Sequence, residues 1–342
     1  MQAIAKLRSG PGGDLIETPR PEPAPRELLV RVKAASICGT DVHIYDWDPW
    51  AAGRVKPPLV LGHEFGGIVE AVGEQVTSFR PGDLVSAETH IVCDRCYQCR
   101  VGQAHICQDV SILGVDRDGA FAEFVTIPEQ NAWLNPPDMS PEVAAIQEPM
   151  GNAVHTVLAG AVAGLRVAVL GCGPIGLLSV AVARACGASA VYAVEPSAYR
   201  RGLAARLGAT LTLDPRDTNP ADRVRELTGG EGADVVLEMS GNPGAVVHGL
   251  RMARNGGRVS LLGLPPRPLE IDLSNDVVMR GLTLQGIAGR RMYATWYQTR
   301  ELLASGQVDP APLITHRFDL ASFGKAFELV KRGECGKVVL LP

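Results

Sequence analysis

The chain has 342 residues, enough for two domains, and its 46% hydrophobic and 20% charged residues are typical of a soluble globular protein. Its net charge is −4 and no block of Lys and Arg stands out, which argues against nucleic acid or an anionic membrane surface as a partner. The opening MQAIAKLRSG lacks the apolar core of a signal peptide, so we predict a cytoplasmic protein whose thiols stay reduced.

The N-terminal part of the chain has a β character. Short runs rich in β-branched residues are bounded there by Gly, Pro and Asp, and they read LLVRVKAAS, GGIVEAVG and DLVSAET. A longer apolar stretch follows, NAVHTVLAGAVAGLRVAVLG, but His155, Arg166 and several glycines interrupt it. We interpret this stretch as a buried helix followed by a buried strand rather than as a membrane span.

From Arg166 onward, strand-like and helix-like runs alternate. The strand-like runs are RVAVLG, AVYAVE, TLTLD, DVVLEMSG, RVSLLG and LTLQGI, and the runs between them include SAYRRGLAARLGA and ADRVRELTG. This series of βαβ units predicts an α/β fold with a doubly wound parallel sheet. After Gly289 the pattern becomes irregular and ends in the strand-like KVVLLP, which predicts a return to the β-rich part.

The turn after the first of these strands carries a dinucleotide-binding pattern, Gly171-Cys-Gly173-Pro-Ile-Gly176. It follows a strand and opens a helix, so the backbone can approach a pyrophosphate at the helix N-terminus. Glu195 ends the next strand, where an acid can accept a hydrogen bond from a ribose 2′-hydroxyl and would repel a 2′-phosphate. We therefore predict NAD rather than NADP. The two arginines of YRRG weaken this preference, and a mere packing turn is the alternative to a cofactor site.

Four of the eight cysteines lie within fifteen residues, with the spacing C-x2-C-x2-C-x7-C; they are Cys93, Cys96, Cys99 and Cys107. Four thiolates match tetrahedral zinc and leave no position for water or substrate, so we predict a structural zinc. An iron–sulfur cluster is the chemical alternative, but the last spacing differs from that of ferredoxins. A zinc knuckle for nucleic acid is another alternative, and the nearby Glu88, Asp94 and Asp109 argue against it.

A second set of possible ligands is dispersed along the chain. Cys38 lies in SICGTDVHIYDWDPW, His63 and Glu64 lie in LGHEFGG, and Glu148 lies in IQEPMGNAVHT. Each residue alone has an ordinary interpretation, such as a buried small thiol, a turn cap or a helix acid. Together they supply the thiolate, imidazole and carboxylate of an open zinc site with a vacant position.

These motifs occur in the order C-G-T-D-x-H, G-H-E-F-x-G, the cysteine lobe and G-x-G-P-I-G. In this order they resemble the zinc-dependent medium-chain dehydrogenases over essentially the whole chain. The resemblance implies a GroES-like, β-rich catalytic domain plus a Rossmann domain, assembled as a homotetramer. The expected boundaries are 1–147 for the catalytic domain with a zinc lobe at 88–110, 148–289 for the NAD-binding domain, and 290–342 for the return to the catalytic domain.

The resemblance also implies roles for individual residues. Cys38, His63 and Glu64 would hold the catalytic zinc, with Glu148 beside it as an exchanging ligand or in proton relay. Thr40 and His43 would carry the proton to solvent. The positions in contact with NAD would be the three glycines of the turn together with Ile175, Glu195, Arg200, Leu262, Gly263, Leu264, Ile287 and Ala288.

Within the family, stretches such as EPMGNAVHT and GIAGRRMYATWYQ resemble the threonine-oxidising members. This implies oxidation of L-threonine to L-2-amino-3-oxobutyrate with NAD and two zinc ions per chain, one catalytic and one structural. A polyol or butanediol dehydrogenase shares every metal and cofactor motif and is the alternative. A non-catalytic NAD- or zinc-binding protein is a third hypothesis, but a binding module needs no proton relay.

An amino-acid substrate also needs a partner for its carboxylate. Arg290 and Arg291, just after the last predicted Rossmann strand, are candidates because arginine pairs with carboxylates through two hydrogen bonds. A solvated charge is the alternative for either residue. Trp47 and Trp50 follow the His43 motif and could form a pocket wall, a packing contact or a subunit contact.

Overall fold

The structure, a computed structural model, describes every residue from Met1 to Pro342. The chain divides into two compact units, which we describe separately. The first unit comprises Met1–Glu148 and Ile314–Pro342, and the second comprises Pro149–Leu313. No α-helix combines the length and the apolar character of a membrane span.

The strands are, in chain order, β1 Gln2–Lys6, β2 Asp14–Glu17, β3 Glu27–Ser36, β4 Leu59–Val60, β5 Glu64–Val72, β6 Leu84–Ala87, β7 His90–Ile91, β8 Ser111–Ile112, β9 Phe124–Pro128, β10 Ala132–Leu134, β11 Arg166–Leu170, β12 Ala190–Val194, β13 Leu211–Leu213, β14 Ala233–Glu238, β15 Ala253–Leu261, β16 Thr283–Gly286, β17 Ile314–Asp319 and β18 Lys337–Leu341.

The α-helices are α1 Gly39–Asp46, α2 Pro49–Arg54, α3 Tyr97–Arg100, α4 Pro141–Ala145, α5 Gln147–Val157, α6 Pro174–Ala185, α7 Ala198–Arg206, α8 Pro220–Leu227, α9 Pro243–Met252, α10 Ala294–Ala304 and α11 Phe323–Arg332. Short 3₁₀ turns and one π-helical segment, Leu273–Val278, complete the list.

The first unit is built on a seven-stranded sheet in the order β10-β6-β5-β3-β18-β17, with β9 also paired to β3. All its pairs are antiparallel except β17 with β18. Smaller sheets, β2-β1-β4 and β7-β8, lie in the same unit. The predicted strand KVVLLP forms β18 and pairs with β3, which brings the C-terminus into the sheet that carries the N-terminal motifs.

The second unit is a six-stranded parallel sheet in the order β13-β12-β11-β14-β15-β16. Strands β11 and β14 are almost entirely buried, as expected where helices cover both faces of a parallel sheet. The order reverses between β11 and β14, and in such sheets ligands bind at the carboxyl ends of the strands near that reversal. The predicted doubly wound α/β fold is confirmed.

The C-terminal region requires a correction. The sequence predicted irregular structure after Gly289 and a return to the β-rich part from residue 290, but Leu302, Val308 and Leu313 lie in the core of the second unit. Helices α10 and α11 also form in this region. The stripe that α10 buries consists of Thr295, Trp296, Thr299 and Leu302, and its two threonines hide the apolar period that would identify a helix.

Candidate metal centres and cofactor-binding turn

The structure brings Cys38, His63 and Glu64 together, with one ligand atom from each lying within 4.8 Å of the others. Cys38 precedes α1, whereas Glu64 begins β5 and His63 directly precedes that strand. Strands β3 and β5 pair so that Ser36 lies opposite Glu64, and this register places the two segments side by side. His63 and Glu64 are buried, so the cluster is enclosed rather than formed at the surface.

Asp41 connects two members of this mixed cluster. Its Oδ2 accepts a hydrogen bond from the Cys38 backbone N–H at 2.8 Å, and its Oδ1 lies 3.4 Å from His63 Nδ1. A carboxylate beside an imidazole ligand fixes the orientation of the ring. Burial favours neutral His63, but the charges of Asp41 and Cys38 outweigh it and raise the pKa of His63. Asp41 lies in the motif C-G-T-D, but the motif alone predicted no role for it.

Glu64 is held by two buried side chains from other strands, Ser36 and Lys337, which both donate to its Oε2. Lys337 also donates to the backbone carbonyl of Ile37 at 3.0 Å. Burial raises the pKa of Glu64, although the Lys337 ammonium opposes this effect. Lys337 is 300 residues from Ile37 in the chain, so its place at this centre has no local sequence signal.

One unpaired atom of the mixed cluster matches the needs of a zinc ion. Glu64 Oε1 is buried and has no hydrogen-bond partner, which is costly without a ligand. A thiol, an imidazole and a carboxylate are three ligands of the kind found in catalytic zinc sites that keep a fourth position open. The residues present therefore fit the metal that the sequence predicted.

Glu148 lies near this centre but outside the set of converging ligand atoms. Its side chain is buried and accepts a hydrogen bond from Thr89 at 3.4 Å. Its charge helps to raise the pKa of Glu64, after the larger effect of burial. The roles predicted for Glu148, an exchanging ligand or a member of a proton relay, remain predictions.

Thr40 and His43 lie one turn apart on α1 and therefore on one face of the helix. Thr40 Oγ1 is 3.9 Å from Cys38 Sγ, next to the mixed cluster. The His43 side chain is 58% exposed, and its Nδ1 is 2.6 Å from Asp48 Oδ2. Asp48 in turn caps α2 by accepting from the Ala51 N–H. The proton-relay roles predicted for Thr40 and His43 remain predictions.

The four cysteines of the lobe also converge. The sulfur–sulfur distances are 3.5 Å for Cys96–Cys99, 3.5 Å for Cys93–Cys107 and 3.9 Å for Cys96–Cys107. A disulfide would need about 2 Å, whereas a tetrahedron of thiolates around zinc has edges of about 3.8 Å, from bonds of about 2.3 Å. The four-cysteine cluster therefore has the size of a zinc site.

The pKa values of two of these thiols are shifted in opposite directions. Hydrogen bonds from the backbone of Cys99 and Gln108 lower the pKa of Cys96 to about 6. Burial and the adjacent Cys96 raise the pKa of Cys99 to about 12. Four thiols this close cannot all ionise without a cation, so the protein by itself leaves the cluster part-protonated and a divalent ion would complete it.

In the second unit, the Gly-rich turn between β11 and α6 has the geometry that a dinucleotide needs. Gly171 has φ +88°, and a side chain there would meet Ser240, while one at Gly176 would meet the carbonyl of Gly171 at 1.9 Å. Around Gly173, in contrast, nothing lies within 4 Å of where a side chain would begin. Two glycines thus shape the turn and the middle one leaves open space for a pyrophosphate, which fits NAD.

Glu195, at the end of β12, is tied to this turn. Its Oε2 accepts from the Cys172 N–H and its Oε1 from the Ser197 N–H, both at about 2.8–2.9 Å. Only 5% of the Glu195 surface is exposed, yet the residue lines a cavity together with Gly171, Ser240 and Arg216. Each carboxylate oxygen keeps a free lone pair for a ribose hydroxyl.

The remaining positions predicted for NAD fall into two groups. One group follows the carboxyl ends of β15 and β16, the same edge of the sheet at which the Gly-rich turn lies; it comprises Leu262, Gly263, Leu264, Ile287 and Ala288. The other lies in the first turns of helices α6 and α7 and comprises Ile175 and Arg200. Their contacts with NAD remain predictions.

The candidate substrate and pocket residues differ in their surroundings. Arg290 is buried and its stem packs on the backbone of Gly151, whereas Arg291 is exposed. Trp47 packs against the core of the first unit, and its ring lies 5.3 Å from Lys6 Nζ. Trp50 is exposed and its ring lies 6.1 Å from that of His43. The structure therefore indicates a packing role for Trp47.

Comparison with known families agrees with these centres. The model of the "Alcohol dehydrogenase GroES-like domain" matches residues 24–137, and that of "Zinc-binding dehydrogenase" matches residues 174–305. The chain belongs to the zinc-binding dehydrogenase family. The two matches fall on the unit with the metal centres and on the unit with the Gly-rich turn.

Individual relatives of this dehydrogenase span its full length. An L-threonine 3-dehydrogenase of Symbiobacterium thermophilum is 57% identical over the whole chain and 98% of its own length. Among solved structures, a short chain alcohol dehydrogenase of Escherichia coli CFT073 complexed with NADH has a TM-score of 0.92 at 28% identity, over 100% of this chain and 99% of that one. A 2R,3R-butanediol dehydrogenase of Bacillus subtilis has a TM-score of 0.90 at 28% identity, with the same coverage.

Proposed function

We propose that this dehydrogenase oxidises the 3-hydroxyl of L-threonine to a ketone, giving L-2-amino-3-oxobutyrate, with NAD as the hydride acceptor. The full-length likeness to an L-threonine 3-dehydrogenase at 57% identity carries the choice of substrate. The mixed cluster of Cys38, His63 and Glu64 supports the choice of chemistry, because it has the ligand types of a zinc centre that keeps a position open for an alcohol.

The reaction removes one proton and one hydride from the alcohol. Zinc held by Cys38, His63 and Glu64 would supply a Lewis acid that favours loss of the hydroxyl proton, and NAD would accept the hydride. The chain itself orients the imidazole through Asp41 and holds the Glu64 carboxylate through Lys337.

The proton leaves along α1. Thr40 lies beside the cluster and can accept and donate through its hydroxyl, and His43 lies one turn further at the surface. Asp48 holds the His43 ring by its Nδ1, which leaves the other ring nitrogen to exchange protons with solvent. A histidine suits this step because its ordinary pKa is close to neutrality.

The organisation of the chain is part of the proposal. Met1–Glu148 with Ile314–Pro342 would form the catalytic domain, and Pro149–Leu313 the NAD-binding domain. We propose a cytoplasmic homotetramer with one catalytic and one structural zinc per chain, and neither nucleic acid nor membrane as a partner.

The test is a substrate panel on zinc-loaded protein with NAD, in which NADH absorbance is followed with L-threonine, (2R,3R)-butanediol and sorbitol. We expect kcat/KM for L-threonine to exceed the others by at least ~10²-fold, because a pocket built to pair with charged groups rejects substrates that lack them. Turnover of butanediol without L-threonine would favour the alternative that the Bacillus subtilis structure represents. NAD binding without turnover of any alcohol would favour a binding protein.

A further inference from the structure

A second carboxylate lies beside Glu195 at the carboxyl edge of the parallel sheet. Strand β12 pairs with β13 so that Val194 lies opposite Leu213, and the next residues, Glu195 and Asp214, follow side by side. The Glu195 N–H also donates to the Leu213 carbonyl at 3.0 Å. Asp214 is therefore placed at the end of the cofactor-binding edge, although no cofactor motif includes it.

Asp214 binds two arginines. Arg216 forms a two-pronged pair with it, Nε to Oδ1 at 2.9 Å and Nη2 to Oδ2 at 2.6 Å, and adds its own N–H to Oδ1 at 3.0 Å. Arg201 Nη1 donates to Oδ2 at 2.8 Å. These hydrogen bonds, those of Arg216 first, hold the pKa of Asp214 well below its ordinary value, so the group is charged at neutral pH.

The same arginines are also bound by backbone carbonyls. Arg201 Nη1 donates to the carbonyls of Glu195 and Pro196, and Arg216 Nη2 donates to that of Pro196. Arg216 nevertheless lines the cavity that contains Glu195, so its guanidinium lies where the adenosine half of a dinucleotide would bind. Without Asp214, this edge would carry two guanidiniums close to the position of the ribose.

We propose that Asp214 is a second cofactor-specificity residue, which binds Arg216 and Arg201 and thereby keeps their guanidinium groups from binding the 2′-phosphate of NADP. The inference rests on the proposed use of NAD. Discrimination then depends on two carboxylates with different tasks: Glu195 accepts from the ribose hydroxyl, and Asp214 withdraws the arginines that would otherwise recognise a phosphate.

The experiment compares NADP with NAD in the full-length, zinc-loaded protein, by kcat/KM with L-threonine and by calorimetric Kd without substrate. Asp214→Asn should raise the NADP:NAD ratio of kcat/KM at least ~10-fold, because it frees a charged donor for the phosphate. Adding Arg216→Gln should remove that gain. The matched control is Asp217→Asn, which removes a nearby exposed charge that is not bonded to either arginine.

Equal ratios in Asp214→Asn and Asp217→Asn would overturn the role of Asp214 while NAD use by the wild type stands. A wild type that binds neither cofactor, or prefers NADP, would overturn both this role and the cofactor choice of the proposed function. If Asp214→Asn does not fold, the single variant Arg216→Gln decides. If Asp214 keeps Arg216 from the phosphate, the Kd of Arg216→Gln for NADP should lie within ~2-fold of the wild-type value. If NADP binding weakens ~10-fold instead, Arg216 already binds the phosphate and the proposal is wrong.

Discussion

The two metal centres of the first unit differ most in what surrounds their ligands. In the four-cysteine cluster the sulfur atoms are bonded mainly by the lobe's own backbone, such as the N–H of Cys96 to the sulfur of Cys93. In the mixed cluster, buried charged side chains from other parts of the chain contact the ligands: Asp41 contacts His63, and Lys337 contacts Glu64. The first centre is local and self-contained, and the second is assembled by the whole unit.

The difference indicates that the two centres have different functions, one structural and one catalytic. A site with four thiolates has no position left for a substrate, so its metal can stabilise a lobe but cannot bind an alcohol. A site with three mixed ligands keeps a position open. The residues that contact these ligands set the orientation and the charge of the ligands. The more conspicuous motif in the sequence is thus the one that we assign to structure.

The largest change is expected from breaking the four-cysteine cluster. Cys99→Ser should lower the free energy of unfolding by about 2–5 kcal/mol, the range for removal of a native disulfide from a small domain, because a zinc site also cross-links the chain. Turnover per folded molecule should stay near that of the wild type. Denaturant unfolding and zinc analysis measure the effect, with Cys186→Ser, a cysteine outside both clusters, as the control. Unchanged stability with a slower chemical step would reverse the assignment of the two centres.

A smaller effect is expected at the outer end of the relay. His43→Asn should reduce kcat by ~10²-fold at neutral pH, the lower range for loss of an acid–base group. A high concentration of a buffer base too bulky to reach the metal should restore part of the rate in the variant and leave the wild type unchanged. If the buffer restores nothing, His43 only positions α1 through its contact with Asp48 and does not transfer the proton.

The smallest of the three effects concerns the support of Glu64. Lys337→Met should weaken zinc binding at the mixed cluster by ~10–100-fold, because Glu64 loses the partner that fixes its carboxylate. Zinc retention against a chelator measures this, and the four-cysteine zinc should be unaffected. Lys331→Met is the control, since Lys331 forms only exposed ion pairs with Asp46 and Glu328. Equal zinc retention in both variants would contradict the support role of Lys337.

Motif spacing was sufficient to predict the four-cysteine ligand set and the Gly-rich turn, whereas the resemblance to a family implied the mixed ligand set. The four cysteines and the turn are local, so their spacing alone determines much of the geometry. Cys38 and His63 come together because β3 pairs with β5. The alternation of residues predicts the two strands but not that they pair. The resemblance to a family implied that these residues share one zinc, and the structure adds the pairing.

The supporting residues could not be predicted in the same way. Lys337 reads as one polar residue at the start of an apolar strand, and only the pairing of β18 with β3 brings it to Glu64. Asp214 reads as an ordinary strand-end acid until the arginines around it are known. Helix α10 was missed because the stripe that it buries contains two threonines. In each case, tertiary packing rather than local pattern decides the role.

The central claim is that the mixed cluster performs the reaction, and turnover of Cys38→Ser tests it most directly. The account predicts NADH formation from L-threonine at least ~10³-fold slower than in the wild type, because the Lewis acid loses its only thiolate ligand. About one zinc per chain should remain in Cys38→Ser. The thermal unfolding of this variant should match that of Cys186→Ser, which is the reference for loss of a cysteine. Wild-type turnover by Cys38→Ser would contradict the claim and move the chemistry elsewhere.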